Sequence, residues 1–372
     1  MSDIIKILMA VPSNKLKMGG PTTHLPYLVE YFEQSKDFKI RTFDYGSKID
    51  GGSLITKKEN LFGKLINLFL VFITFISLVI VYRPHIIHIN TAFDKRSLLR
   101  DVPFSIFCFL FRQKLIFKIH GSSDLINTND QLYRYLIKLF FLGAKKVGVL
   151  SEIEQNEFIN NLGNSEKLTV VKNIVVKREI SSDFGFRKDP LKIYALFVSR
   201  IVAGKGLGDL IQALPLILKA HSNFILIVAG NGPEMKTCLD LATKLEVNDS
   251  IIWLGFIAND KIPSVILCCD IFLFSSHFPE GMPMSLVEAL MCGVPIITTR
   301  VRFARNYLCE NTNCLFIQAG DVKDISDKVH YLISNKELQE KMKCANPKLF
   351  ENFSQAKIGS EFESIYRHML HN

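Results

Sequence analysis

Short runs of aliphatic and β-branched residues recur along this chain, each followed by a longer stretch whose apolar positions return with helical spacing. In the first half the runs are "IIKILMAVP", "FKIRTFDY", "HIIHIN", "KLIFKIHG", "AKKVGVLS" and "LTVVKNIV". In the second half they are "KIYALFVSR", "FILIVAGNG", "IIWLGF", "IFLFSS" and "VPIITT". Apolar runs without polar alternation, separated by helices, predict parallel strands covered on both faces. The polar stretch "KREISSDFGFRKDP" at 177–190 interrupts the alternation and predicts a domain boundary. The expected fold is α/β, with two Rossmann-like, doubly wound domains facing across a cleft. Their expected bounds are 1–180 and 190–348, with 349–372 as a C-terminal helix.

One helical stretch changes this picture. Residues 65–82, "LINLFLVFITFISLVIVY", carry no charge over 18 positions and lie between Lys64 and Arg83. By length this is a candidate membrane span. It reads equally as a long buried helix of an α/β domain, ended by Arg83-Pro84 and followed at once by a strand. The second reading is the expected one, because a span would separate the glycines near residue 19 from His120 across the bilayer. A second aromatic run, "FSIFCFLF" at 104–111, gives the first half another greasy helical face that can touch a membrane.

Composition narrows the partners. The 372 residues are 48% hydrophobic and 22% charged, the signature of a folded chain, and are long enough for two domains. A net charge of +9, 29 phenylalanines and a mean hydropathy of +0.20 point to an anionic partner such as a membrane surface or nucleotide phosphates. Nucleic acid fits less well, because the basic residues are dispersed rather than interleaved with aromatics. The eight cysteines form no CxxC pair, so a reducing compartment is expected, with neither a disulfide framework nor a zinc site. "MSDIIKILMAVPSN" lacks a small-residue cleavage pattern and reads as a buried strand rather than a signal peptide.

The candidate chemistry falls where such folds bind ligands, beyond the carboxyl ends of strands. "MGGPTTH" places Gly20 at a strand-to-helix turn, where backbone can approach a ligand, although an ordinary turn reads as well. "IHGSSD" sets His120 just past a strand. "VSRIVAGKGLGD" brings Arg200 and Lys205 to a glycine-rich turn before a helix, as a diphosphate would require; it is not a Walker A loop. "VAGNGPE" places Gly230 in a tight turn that can line a nucleotide site. In "EGMPMSLVE", Glu280 lies in a loop and Glu288 in the following helix. Two carboxylates can accept from vicinal hydroxyls, and the amides of Gly281, Met282 and Met284 lie at the helix start between them.

Taken in order, "GG", "IHG", "VLS", "VVKN", "SRIVAGKG", "GNGPE", "LGF" and the E-x7-E block with "CGVPII" after it resemble the family 4 retaining glycosyltransferases of GT-B fold. The resemblance runs through nearly the whole chain. It implies that Arg200 and Lys205 hold a donor diphosphate, Glu288 the ribose and Glu280 the transferred sugar. His120 would lie against that sugar, and Gly20 would approach the diphosphate. Proline at 283 removes one amide that the family often supplies. The resemblance further implies transfer with retention, no metal or other cofactor, and an acceptor carried by the first domain. A glycan or lipid-linked acceptor at the cytoplasmic membrane face is the expected partner. A nucleotide-sugar epimerase of the same fold and a non-catalytic nucleotide binder are the alternatives.

Overall fold

The computed structural model describes residues 4–11, 20–45, 61–122, 130–163, 166–177 and 188–371, with only the backbone described at 20–23, 61, 62 and 64. The chain forms two compact units, one of Met1–Val176 with Ser354–Asn372 and one of Lys177–Phe353. Met18 and Gly19, Ser123 and Asp124, and most of the 177–190 stretch lie outside the described residues.

The first unit runs β1 (Ile5–Val11), α1 (Gly20–Glu33), β2 (Phe38–Asp44), α2 (Leu61–Tyr82), β3 (Ile86–Thr91), α3 (Lys95–Leu110), β4 (Leu115–Ile119), α4 (Gln131–Gly143), β5 (Ala144–Val149), α5 (Glu152–Leu162) and β6 (Leu168–Val170). Its six strands pair in the order β2-β1-β3-β4-β5-β6, and every pairing is parallel. Alternate side chains go to opposite faces. Leu8, Ala10 and Phe117 enter one core with Phe75, Phe104, Phe140 and Phe158 from α2 to α5. Ile7, Met9 and Ile116 enter a second core against α1.

The second unit runs β7 (Ile193–Val198), α6 (Leu207–Ala220), β8 (Phe224–Ala229), α7 (Met235–Lys244), β9 (Ile251–Gly255), α8 (Ile262–Leu267), β10 (Ile271–Phe274), α9 (Met284–Cys292), β11 (Ile296–Thr299), α10 (Arg302–Tyr307), β12 (Cys314–Ile317), α11 (Val322–Ser334) and α12 (Lys336–Phe350). The strand order is β12-β11-β10-β7-β8-β9, so direction reverses between β7 and β10. That is the order of dinucleotide-binding sheets, whose ligands sit at this switch point.

The chain then returns to the first unit as α13 (Gln355–His371). Ile358, Phe362, Tyr366 and Met369 are fully buried and close the core under α1. The approach is close enough that a Cβ on Gly359 would lie 2.5 Å from the Tyr31 ring.

The reading of 65–82 as a buried helix is corrected here. These residues lie in α2 as a helix, but only 17% of Leu65–Tyr82 is buried. Phe75 and Val79 face the core, while Leu65, Ile66, Phe69, Leu70, Ile73, Ile80 and Val81 are exposed. Nor is α2 placed as a span. The strands on either side of it both pair with β1 in one sheet, so its two ends cannot lie in different compartments.

Candidate functional site

In the second unit the loops after β7 and β10 meet at the switch point. Gly204 and Gly206 adopt left-handed backbone, with φ of 82° and 79°. A Cβ on Gly206 would lie 2.0 Å from the Ser275 carbonyl oxygen, so only glycine lets the two loops touch. Ser275 Oγ donates to the Gly206 carbonyl at 3.0 Å, and the His277 amide donates to the Gly204 carbonyl at 2.8 Å. His277 and Asp209 pair at 2.5 Å beside them. This frame carries Lys205, whose Nζ lies 2.8 Å from Glu280 Oε1. The two side chains are only 14% and 19% exposed, so their attraction is less screened than that of a surface pair. The phosphate and sugar candidates of the sequence are thus direct neighbours, 75 residues apart in the chain.

Arg200 stands exposed two residues past β7, with no ion-pair partner among the described residues. Its loop is held by the "GNGPE" turn. The Ile201 amide donates to the Asn231 carbonyl at 3.0 Å, and a Cβ on Gly230 or Gly232 would meet the Ser199 or Ile201 carbonyl oxygen at 1.9 or 2.1 Å. Gly230 therefore has a packing role: it lets the β8 turn lie against the backbone that presents Arg200.

The glutamate segment is built from the other side of the switch point. The buried Arg302 donates from Nη1 to the Pro279 carbonyl at 3.0 Å, and the Phe303 amide donates to the Glu280 carbonyl at 3.1 Å. Gly281 follows, then Met282, which is 6% exposed. Pro283 is the N-cap of α9, with φ −69° and ψ 117°. Its carbonyl accepts from Leu286 and Val287, so the proline precedes the helical amides and the first-turn donors begin at Met284. Glu288 lies one turn further in and is 5% exposed. A carboxylate at that burial requires polar partners. Burial, reinforced by Glu288, raises the neighbouring Cys292 thiol to about 12.

In the first unit, His120 follows β4 and is part of a chain of neutral side chains. Asn90 Nδ2 donates to the Ala10 carbonyl at 2.8 Å, which turns Asn90 Oδ1 towards His120 Nε2 at 2.9 Å. His120 therefore carries its proton on Nε2, and its Nδ1 accepts from His24 Nε2 at 3.3 Å. The pKa values of His24 and His120 are both lowered, first by burial and then by the nearby Lys118. Lys118 is itself fully buried, and burial lowers its pKa as well; its Nζ donates to the Lys172 carbonyl at 2.9 Å. His120 is accordingly a neutral imidazole with both nitrogens engaged, able to take a third partner only by exchanging one of them. Gly20 opens α1 one turn before His24, and the His24–His120 contact ties this helix to the end of β4.

The sequence reading missed His24 and Asn90, and also Glu154. Glu154 is fully buried and accepts from Ser122 Oγ and, at 2.7 Å, from the Leu150 amide. That pins the segment just after His120. Among the described residues no group of three or more His, Cys, Asp or Glu is placed to hold a metal ion.

Residues 177–349 match the family model described as "Glycosyl transferases group 1". That stretch, most of the second unit, is where the chain matches the glycosyl transferases group 1 family. The chain is 25% identical over 284 residues to N-acetyl-alpha-D-glucosaminyl L-malate synthase of Bacillus anthracis, a match covering 72% of this chain and 73% of that one. Its fold is similar to that of sucrose-phosphate synthase from Thermosynechococcus elongatus, with a TM-score of 0.78, 15% identity and coverage of 98% and 99% of the two chains. HepE of Anabaena in complex with UDP gives a TM-score of 0.74, 16% identity and coverage of 98% and 100%. The fold of this glycosyltransferase is therefore GT-B, and its activity is glycosyl transfer.

Proposed function

We propose that this enzyme moves a sugar from a nucleoside diphosphate donor, with retention of anomeric configuration and without a metal, to a glycan or lipid-linked acceptor at the cytoplasmic face of the membrane. The single observation that carries the donor half is the Lys205–Glu280 pair at the β7/β10 switch point, with Glu288 buried in α9 behind it. In this reading Lys205 and Arg200 neutralise the departing diphosphate, where a preorganised cation lowers the barrier most. A diphosphate competes with Glu280 for the Lys205 ammonium, which frees Glu280 to accept from sugar hydroxyls. Glu288 accepts from the ribose, and the first-turn amides of α9 from Met284 onward meet donor oxygens. The UDP in the Anabaena neighbour supports a uridine donor.

The acceptor half rests on the first unit. Gly20 would approach the diphosphate, and His120, neutral and held by His24 and Asn90, would meet the transferred sugar as a hydrogen-bonding group rather than as a cation. The exposed apolar surface of α2 supports a membrane-bound acceptor and a cytosolic, peripheral location.

The test is donor-dependent release of nucleoside diphosphate, with UDP-glucose, UDP-N-acetylglucosamine and GDP-mannose compared in parallel. Arg200→Ala, Lys205→Ala and Glu288→Ala should each lower kcat/KM by about a hundredfold or more. Wild-type turnover in Arg200→Ala or Glu288→Ala would exclude this assignment of the donor site.

A further inference from the structure

Glu280 reaches Lys205 from a turn of three residues, and each of the three is held by a different neighbour. The Glu280 amide donates to the Phe278 carbonyl at 2.8 Å, across Pro279. A turn closed between residues two apart takes, in its common form, a middle φ of about −75°, close to the value that a proline ring imposes. The Pro279 carbonyl accepts from Arg302, and the Glu280 carbonyl from the Phe303 amide. Phe278 is held by its ring. The outer end of the ring lies on Gly204, where a Cβ would come within 2.8 Å of Cζ and 3.0 Å of Cε2. Glycine is therefore required at 204 twice, by the left-handed backbone and by the ring beside it.

The two ends of this turn meet the same ammonium group. Lys205 Nζ lies 2.8 Å from Glu280 Oε1 and 5.7 Å from the centroid of the Phe278 ring, within reach of a cation–π contact. Phe278 is 43% exposed, so it does little for the core. A single exposed phenylalanine is ordinary. This one is fixed against a cation that the donor site uses. A diphosphate would affect the two contacts differently. Its oxygens compete with the Glu280 carboxylate for the N–H donors of Lys205. A neutral ring attracts the charge through its quadrupole and occupies no N–H, so phosphate oxygens do not displace it.

We infer that Phe278 is a positioning residue, which keeps the Lys205 ammonium against the leaving diphosphate while Glu280 changes partner from Lys205 to the sugar. This rests on the donor reading above and deepens it by naming what holds the cation once its carboxylate has turned away. A lysine stem is flexible, and a cation already in place stabilises developing charge without first having to reorganise.

Titration calorimetry tests it, with UDP and GDP as probes and the tighter of the two followed through wild type, F278L, F278Y, K205A and F278L/K205A. F278L should keep its melting temperature and bind the diphosphate about three- to thirtyfold more weakly, the range of a cation–π contact. F278Y, which keeps the ring, should stay within about twofold of wild type. In the K205A background F278L should cause no further loss, because residues that act through one another are not additive. The nucleoside alone, lacking the diphosphate, should bind wild type and F278L alike. F278L binding as tightly as wild type, with K205A impaired, would overturn the role of Phe278 and leave the donor site standing. A loss that persists in the K205A background, or that is equal for the nucleoside, would overturn it by showing that the ring acts without Lys205. A loss for UDP-glucose with none for UDP would overturn it in favour of a platform for the sugar. K205A binding as wild type does, or wild type binding neither diphosphate, would remove the donor reading itself and this role with it.

Discussion

The two faces of the first sheet are finished in opposite ways. Under α1 and α13 the apolar side chains are sealed, with Phe32, Phe362 and Tyr366 fully buried. Under α2 to α5 the core is equally aromatic, but the helices covering it carry a second apolar surface outward, with Phe69, Val81 and Leu110 exposed by 62%, 72% and 67%. An apolar residue that packs against its own chain contributes to stability. A contiguous patch of apolar residues left on the outside marks a surface that meets something beyond the chain. On this comparison α13 belongs to the fold, and the outer side of α2 is the surface that the proposed membrane contact would use.

The comparison can be broken most severely at α13. Phe362→Ala should lower the unfolding free energy by about 3–5 kcal/mol, read by denaturant titration. A loss under about 1 kcal/mol would mean that the α13 face is not closed as described.

A smaller effect separates the faces by pH, because the histidines lie on the α13 side. His88 Nδ1 is 2.6 Å from the Tyr366 hydroxyl, and burial, with Lys118 behind it, lowers the His88 pKa to about 3. The unfolded chain takes up that proton near pH 6.5, so its stabilising share is complete above that value and is lost as the pH falls towards 3. Acidifying from pH 7.5 to 5.5 should therefore cost about 1.4 kcal/mol through His88 alone. His24 and His120 shift in the same direction and add to this loss. A stability unchanged between these two pH values would contradict the buried neutral cluster.

The smallest effect is expected on the open face. Phe69→Ser and Leu70→Ser should change stability by about 0.5 kcal/mol or less, while weakening vesicle binding. A drop comparable to that of Phe362→Ala would show that these side chains serve the fold after all.

The succession of strands along the chain and the placement of the motifs at strand ends were legible because glycines and charges punctuate the apolar runs, as at Gly204–Gly206 and Glu280. The exposure of α2 was not, because an uncharged helix has the same composition whether protein or lipid covers it. His24 was hidden for a different reason. A histidine near the start of a helix carries no signal until the fold brings His120 to its ring, 96 residues further on. The Lys205–Glu280 pair was invisible in the same way, since spacing along the chain says nothing about a contact made across two loops. Pro283 shows the reverse case. Its missing amide was correctly noted, but its cost depends on whether it lies inside α9 or caps it, and that only the backbone reveals.

The return of α13 also imposes an order in time. The first unit is synthesised early but lacks the helix that seals Phe32 and Met9 until the 177 residues of Lys177–Phe353 have been made. During that interval one face of its sheet waits, apolar and covered by α1 without α13, while the continuous second unit has everything it needs to close. A nascent chain of this kind has two greasy surfaces to protect on the ribosome and only one of them for good.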